Sequence, residues 1–287
     1  MTVRPRRSVL YTPGSNVRAL DRARNLAVDG LILDLEDAVA PSAKEDARRA
    51  VGEALRAGGF GHREVTVRVN GLATPWGAAD LAFAATCGAE AVVLPKVESA
   101  DEVRTAERAL VAAGAPERLA LWCMIETPRG VLAAPAIAAA TPRLAALVMG
   151  TSDLVKDLRA RHTAGRTEVL HALGAVLLAA RASGLVALDG VHLDLADDAG
   201  FEASCRQGRD LGFDGKTLIH PRTADVADRV FAPDAAELAG ARGIIAAHAE
   251  AEAAGRGVVV VDGRLVEALH VETARRVVAL AEAIAAR

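Results

Sequence analysis

Eight short polar segments, each following an apolar run, carry the residues able to do chemistry in this 287-residue chain. They are Thr12-Pro-Gly-Ser15, Asp34-Leu-Glu-Asp37, Arg68-Val-Asn70, Pro95-Lys96, Glu126-Thr127, Gly150-Thr-Ser-Asp153, Asp189 and His220. Acids outnumber bases. Carboxylates that converge repel one another and lose solvation, so they require a cation. No paired His or Cys lies nearby, which favours a hard ion; one or two carboxylates with open positions is how Mg²⁺ is usually held. Glu126 and Asp153 are the pair expected to share it. Asp34, Glu36 and Asp37 cannot all point inward if strand alternation runs through them, so at least one is expected to be structural or to stand behind the ligands.

The elements that would position these residues are short apolar runs at 8–11, 31–34, 65–69, 91–94, 119–125, 144–149, 185–188 and 216–219, with helical patterns between them. That is the pattern of β/α units in a parallel sheet buried on both faces. Eight units in a chain near the ~250 residues of one closed barrel predict an α/β fold, a single (β/α)₈ TIM-barrel domain over 1–287. The active site of such a barrel lies at the C-terminal ends of the strands, where neighbouring strands five and six would bring Glu126 and Asp153 to one ion. Ser42-Ala-Lys-Glu45 and Ser99-Ala-Asp-Glu102 read as capping boxes, and Thr127-Pro128 as a cap followed by proline at the first helical position. Beyond strand eight, helical patterns at 235–254 and 271–285 flank an apolar run at 258–261 and a turn at Asp262-Gly263. One is the closing helix; the other is an additional C-terminal helical segment. Residues 255–287 are expected to form an arm that packs on a neighbouring subunit.

The cations leave two chemistries open. Arg68 can grip a carboxylate or stabilise an enolate oxygen with its planar fork, or be an ion-pair partner only. Lys96 or Lys216 could form a Schiff base as in lysine aldolases, and Lys216 can equally be a salt-bridge residue. His220, just before Pro221, is an acid/base group or a structural histidine.

Composition narrows the partners. With 52% hydrophobic but only 3% aromatic residues, the core must be filled mainly by Ala, Leu and Val. A net charge of −3 with interspersed signs gives no reason to expect nucleic-acid or anionic-membrane binding. Cys87, Cys123 and Cys205 are odd in number and lack CxxC spacing, which argues against a disulfide framework or a thiolate zinc site. No apolar stretch is long enough to span a bilayer, and the run after Arg4, Arg6 and Arg7 is too short for a signal-peptide core, so the cytoplasm is the expected location.

The motifs Arg7-Ser-Val-Leu-Tyr-Thr-Pro-Gly-Ser15, Leu33-Asp-Leu-Glu-Asp-Ala-Val-Ala40, Val67-Arg-Val-Asn70, Leu94-Pro-Lys-Val-Glu98, Ile125-Glu-Thr-Pro-Arg-Gly130, Gly150-Thr-Ser-Asp153 and Gly212-Phe-Asp-Gly-Lys216 with Ile219-His-Pro221 occur in the order found in one family. Over nearly its full length the chain resembles the citrate lyase β-subunit family of the phosphoenolpyruvate/pyruvate-binding barrel superfamily. The resemblance implies a Mg²⁺-dependent carbon–carbon lyase that cleaves a citryl thioester to oxaloacetate and an acetyl thioester, or the reverse. A malate-synthase-like or malyl/methylmalyl-CoA lyase activity is the alternative within the family; a non-catalytic barrel that binds metal and oxo-acid is one outside it. Glu126 and Asp153 match the metal ligands, Asp37 matches an acid near the metal that acts through water, and Arg68 matches the arginine that contacts substrate and enolate; Glu36 is expected to stand behind the ligands with Asp37. Substrate contacts are implied at Arg68, Glu126, Gly150 and Asp153. Asp262-Gly-Arg-Leu-Val-Glu267 resembles a segment that supplies an acid/base aspartate from an adjacent subunit; here that position is Glu267, one methylene longer. Implied partners are an oxaloacetate-like acid, a thioester on coenzyme A or acyl carrier protein, and further copies of the chain in a trimer or hexamer.

Overall fold

The computed structural model describes residues 3–253, 259–261 and 264–287. The expected turn at Asp262-Gly263, the first residue of the 258–261 run and the last of the 235–254 pattern lie outside the described residues. Eight parallel strands form a closed barrel in sequential order: β1 (Ser8–Pro13), β2 (Gly30–Asp34), β3 (Glu64–Arg68), β4 (Ala91–Leu94), β5 (Ala120–Ile125), β6 (Leu144–Met149), β7 (Val186–Asp189) and β8 (Gly215–Leu218). β8 pairs with β1 to complete the ring. All eight expected strands are present. Their ends differ slightly from the apolar runs, because ladder hydrogen bonding rather than hydrophobicity terminates a strand.

Alternation along the strands divides their faces. Val9 shares a face with Tyr11, Ile32 with Asp34, and Trp122 with Met124, so one face of each strand carries apolar residues low down and functional residues at its C-terminal end. Val9, Ile32, Ala91, Val93, Trp122, Met124, Ala146, Val148 and Leu188 form a single buried cluster. Its centre holds one large aromatic ring, Trp122, fully buried, with the Arg6 guanidinium 5.5 Å from the ring centroid.

Helices alternate with the strands: α1 (Val17–Ala23), α2 (Lys44–Ala57), α3 (Gly77–Thr86), α4 (Ala100–Ala112), α5 (Pro128–Ala138), α6 (Thr151–Asp157), α7 (Leu170–Ala182) and α8 (Asp198–Leu211). The Thr127 hydroxyl accepts from Gly130 N–H with Pro128 opening α5, as expected. The Ser99 hydroxyl caps α4, but the Glu102 carboxylate accepts from Glu98 N–H rather than closing a box on Ser99. At Ser42 the expectation fails. Pro41–Ala43 is a 3₁₀ turn, and α2 starts after Ala43 with no side-chain cap.

The chain divides into two compact units, residues 6–228 and residues 229–287 with the N-terminal stretch ending at Pro5. The division falls within α9 (Ala224–Phe231), an eight-residue helix that sequence patterning missed, so among the described residues three α-helices follow β8 rather than two. In the second unit α10 (Ala235–Ala253) packs on α11 (Ala268–Ala285). β9 (Val259–Val261) and β10 (Arg264–Val266) pair antiparallel. Among the described residues no helix is long and apolar enough to cross a membrane.

An ion cluster sits between β7 and β8, on the outer face of the barrel toward α8. Asp189, fully buried, accepts from Lys216 Nζ at 2.7 Å and from Arg166 Nη1 at 2.9 Å, and Lys216 is 1% exposed. Removing the shared acid strands the buried Lys216 and the largely buried Arg166. Asp189→Ala is therefore expected to cost about 3–5 kcal/mol in urea unfolding. Lys216→Met, which leaves the Arg166–Asp189 pair, should cost distinctly less; the reverse order would contradict this account.

Candidate active site

Register places the first charged pair. Asp34 and Arg68 are Cα partners across β2 and β3, and Arg68 donates from Nε and Nη2 to the two Asp34 oxygens at 2.7 and 2.6 Å. Asp34 also accepts from Glu36 N–H at 2.9 Å and Ala38 N–H at 3.2 Å, which folds the loop after β2 over the barrel mouth. One edge of the arginine fork is thus spent on a structural ion pair. Nη1 remains at the site, 2.9 Å from Glu36 Oε2 and 3.7 Å from Met124 Sδ, with the guanidinium 4.8 Å over the Tyr11 ring. Burial and the surrounding acids push the Tyr11 hydroxyl above its usual range, and it donates to Met124 Sδ.

Ile125 pairs with Met149 across β5 and β6, so the residues that follow, Glu126 and Gly150, lie side by side. A Cβ on Gly150 would come within 2.3 Å of Glu126 Cβ and Oε2; only glycine leaves room for this carboxylate. Glu126 Oε1 accepts from Lys96 N–H at 2.8 Å. Burial, reinforced by Glu36, raises the Glu126 carboxyl to about 7 against the opposing charge of Lys96. Asp153 sits not in a loop but in the first turn of α6, with its oxygens 3.6 Å from Lys96 Nζ and 3.7 Å from Lys156 Nζ.

The alternation argument fails beyond β2, because the strand ends at Asp34 and the chain turns. Glu36 and Asp37 both reach the same cations: the Lys96 ammonium donates to Glu36 Oε1 and, at 3.2 Å, to Asp37 Oδ2. Burial lowers the charge preference of Lys96, but the Glu36 hydrogen bond and neighbouring acids more than reverse this, holding it above the ordinary lysine range.

Tyr11, Asp34, Asp37, Arg68, Glu126, Gly150 and Asp153 line one cavity of about 350 Å³ at the C-terminal ends of the strands. Sequence reasoning missed Tyr11, Met124 and Thr217, which line it too; inward register from Asp34 and Arg68 was the available signal for Tyr11. Lys216 does not line it and is held by Asp189, so the salt-bridge reading applies. His220 is exposed, its Nδ1 accepting from Arg222 N–H as the cap of a short 3₁₀ turn, a structural role. Glu267 belongs to the second unit, exposed at the N-cap of α11, with its N–H donating to His270 Nδ1.

These donors suit a hard divalent ion. Two carboxylates, one buried and costly to ionise alone, line a cavity with room for further oxygen ligands. Among the described residues no three His, Cys, Asp or Glu are grouped closely enough to form a metal cage. An ion held by two carboxylates alone would leave its other coordination positions to water or substrate.

Residues 7–221 match the HpcH/HpaI aldolase/citrate lyase family. The chain is 52% identical, over 98% of its length and 96% of the relative, to a (3S)-malyl-CoA thioesterase of Cereibacter sphaeroides. It is 37% identical to the citrate lyase β subunit of Escherichia coli, over 97% of this chain and 94% of that protein. The crystal structure of CitE from Mycobacterium tuberculosis in complex with magnesium, acetoacetate and coenzyme A is similar with a TM-score of 0.77 and 30% identity, covering 97% of this chain and 98% of that one. The register that sets Glu126 against Gly150 and Arg68 against Asp34 thus sits within the matched segment, and the chain belongs to the HpcH/HpaI aldolase/citrate lyase family.

Proposed function

We propose that this protein is a Mg²⁺-dependent enzyme acting on the coenzyme A thioester of a short hydroxy-dicarboxylic acid, with malyl-CoA as the substrate of choice, and that it releases the acid by hydrolysis. The observation that carries the reading is the placing of Glu126, Asp153 and Arg68 on one cavity of about 350 Å³, the scale of a small acid with a thioester end. The 52% identity to a malyl-CoA thioesterase favours a malyl over a citryl substrate, and hydrolysis over cleavage. The second reading, carbon–carbon cleavage of a malyl or citryl thioester, is favoured by the 37% identity to a citrate lyase β subunit.

Glu126 and Asp153 would hold Mg²⁺, which when bound polarises the carboxylate and adjacent oxygen of the acid as a Lewis acid. Arg68 presents a fixed positive charge at the cavity wall, suited to an oxyanion on the thioester oxygen. Both readings need it: water addition and enolate formation each place negative charge on that oxygen. Gly150 serves by leaving Glu126 its place, and Glu36 and Asp37 act through Lys96 and Arg68. Glu267, contributed by a second copy in a trimer or hexamer, is the proton-moving acid/base of the reading, with residues 255–287 as the arm that delivers it.

Malyl-CoA incubated with the protein and Mg²⁺ should yield malate and free coenzyme A; acetyl-CoA with glyoxylate as the products would establish cleavage instead. Inactivity toward both malyl-CoA and citryl-CoA would defeat both readings. Because Glu126 must be ionised to hold metal and its carboxyl titrates at about 7, Mg²⁺ affinity by calorimetry should weaken about tenfold per unit as pH falls below neutrality. Glu126→Gln should lose both the binding and its pH dependence. For Glu267→Gln, kcat should fall by about 10²-fold or more with Mg²⁺ affinity unchanged; full activity in that variant would reassign the acid/base.

A further inference from the structure

Lys96 stands where the acids of the site meet. Its ammonium bonds Glu36 Oε1, lies 3.2 Å from Asp37 Oδ2 and 3.6 Å from Asp153 Oδ2, while its own N–H holds Glu126 Oε1 at 2.8 Å. One residue therefore touches both expected metal ligands and both acids behind them. Its backbone adopts φ 50°, in the left-handed region that a side chain with a Cβ seldom enters. That conformation aims the amide and the side chain of one residue into the same acidic cluster. Strain of this kind persists only where the surroundings over-determine it.

The charges explain why a cation belongs there. Asp34 is neutralised by Arg68, but Glu36, Asp37, Glu126 and Asp153 remain around a mouth whose other cationic contacts are the Nη1 edge of Arg68, beside Glu36 and Asp37, and the exposed Lys156 ammonium, 3.7 Å from Asp153. The contacts are graded. Glu36 is held most tightly and Asp153 most loosely, so the ammonium can leave Asp153 while keeping Glu36 and Asp37. It also has somewhere to go: Lys96 lines a second cavity of about 330 Å³, bounded by Asn70, Leu72, Thr74 and Val97, and its side chain is 40% exposed.

We propose that Lys96 is a resident counter-cation that competes with the metal: it neutralises Asp153 together with Glu36 and Asp37 in the metal-free protein, and gives up Asp153 when the metal binds. Loading is then an exchange of one cation for another. Lys96 is a positioning residue here, acting on the ligands rather than on substrate. The proposal rests on reading Glu126 and Asp153 as the Mg²⁺ ligands.

Calorimetric titration of Mg²⁺ into the metal-free protein at pH 8 tests it with Lys96→Met, Lys96→Gln and Lys96→Arg. The two neutral variants should bind Mg²⁺ about tenfold more tightly than the parent, because a positive charge beside the ion is gone. They should also melt lower without metal and gain a larger melting-temperature rise on saturation. Lys96→Arg, which keeps the charge, should bind within a few-fold of the parent. A merely structural lysine would lower melting equally with and without Mg²⁺ and leave affinity unchanged. Equal or weaker affinity in the neutral variants overturns the proposal, as does tightening in Lys96→Arg. A parent protein that binds no Mg²⁺ at all sinks the metal reading itself, and the exchange with it.

Discussion

Asp34 and Glu126, at the mouth of a closed barrel, cannot drift from their neighbours, because the register that places them is the register that closes the sheet. Asp34 faces Arg68 because β2 and β3 pair as they do, and Glu126 lies against Gly150 because Ile125 pairs with Met149. In an open loop, repulsion among such acids would be relieved by small movements into water. At Asp34 and Glu126 such a movement would disturb ladder hydrogen bonds in a buried parallel sheet. The repulsion must be met by cations instead, and much of the site is the record of how it is met.

Two charged clusters in the same barrel show two ways of meeting it. Around Asp189, the acid is shared by Lys216 and Arg166, all nearly or fully out of solvent, so the charges close on themselves and nothing is left to bind. Around Glu126, acids outnumber cations and a cavity stays open beside them. The first arrangement can only stabilise. The second keeps an electrostatic demand that an incoming ion satisfies, at the end of the barrel where the strands deliver their last side chains.

How much of this could be read from the sequence depended on how local each cause was. Strands were legible because both faces of a parallel barrel strand are buried, leaving uninterrupted apolar runs. Glu126 was legible because it ends such a run; Asp153 was legible as an acid near strand six but not as part of α6, since Gly150 admits either a loop or a helix start. The division of labour within Arg68 was hidden, because which edge meets Asp34 is a cross-strand fact. Lys96 read as a Schiff-base candidate because its left-handed backbone, which turns the ammonium into the acids, has no sequence signal in a non-glycine residue. Ser42 misled for a related reason: Pro41 opens a 3₁₀ turn that consumes the position a cap would occupy. α9 escaped because eight residues give an apolar face too little length to repeat.

The same electrostatics explain how one family can hold both a thioesterase and a lyase. Splitting a thioester with water and splitting the neighbouring carbon–carbon bond both load negative charge onto the thioester oxygen, and both require the acid end to be gripped. On the proposed reading, Arg68, fixed on one edge by Asp34 and paired at Nη1 with Glu36, would supply the first need, and the Glu126–Asp153 cavity the second. Neither distinguishes the reactions. What does is the fate of a proton: cleavage must take one from the hydroxyl and return one to the acetyl carbon, whereas hydrolysis needs one removed from water poised at the thioester carbon. The barrel fixes the charges common to both outcomes, so the choice between them falls to groups outside the eight strand ends.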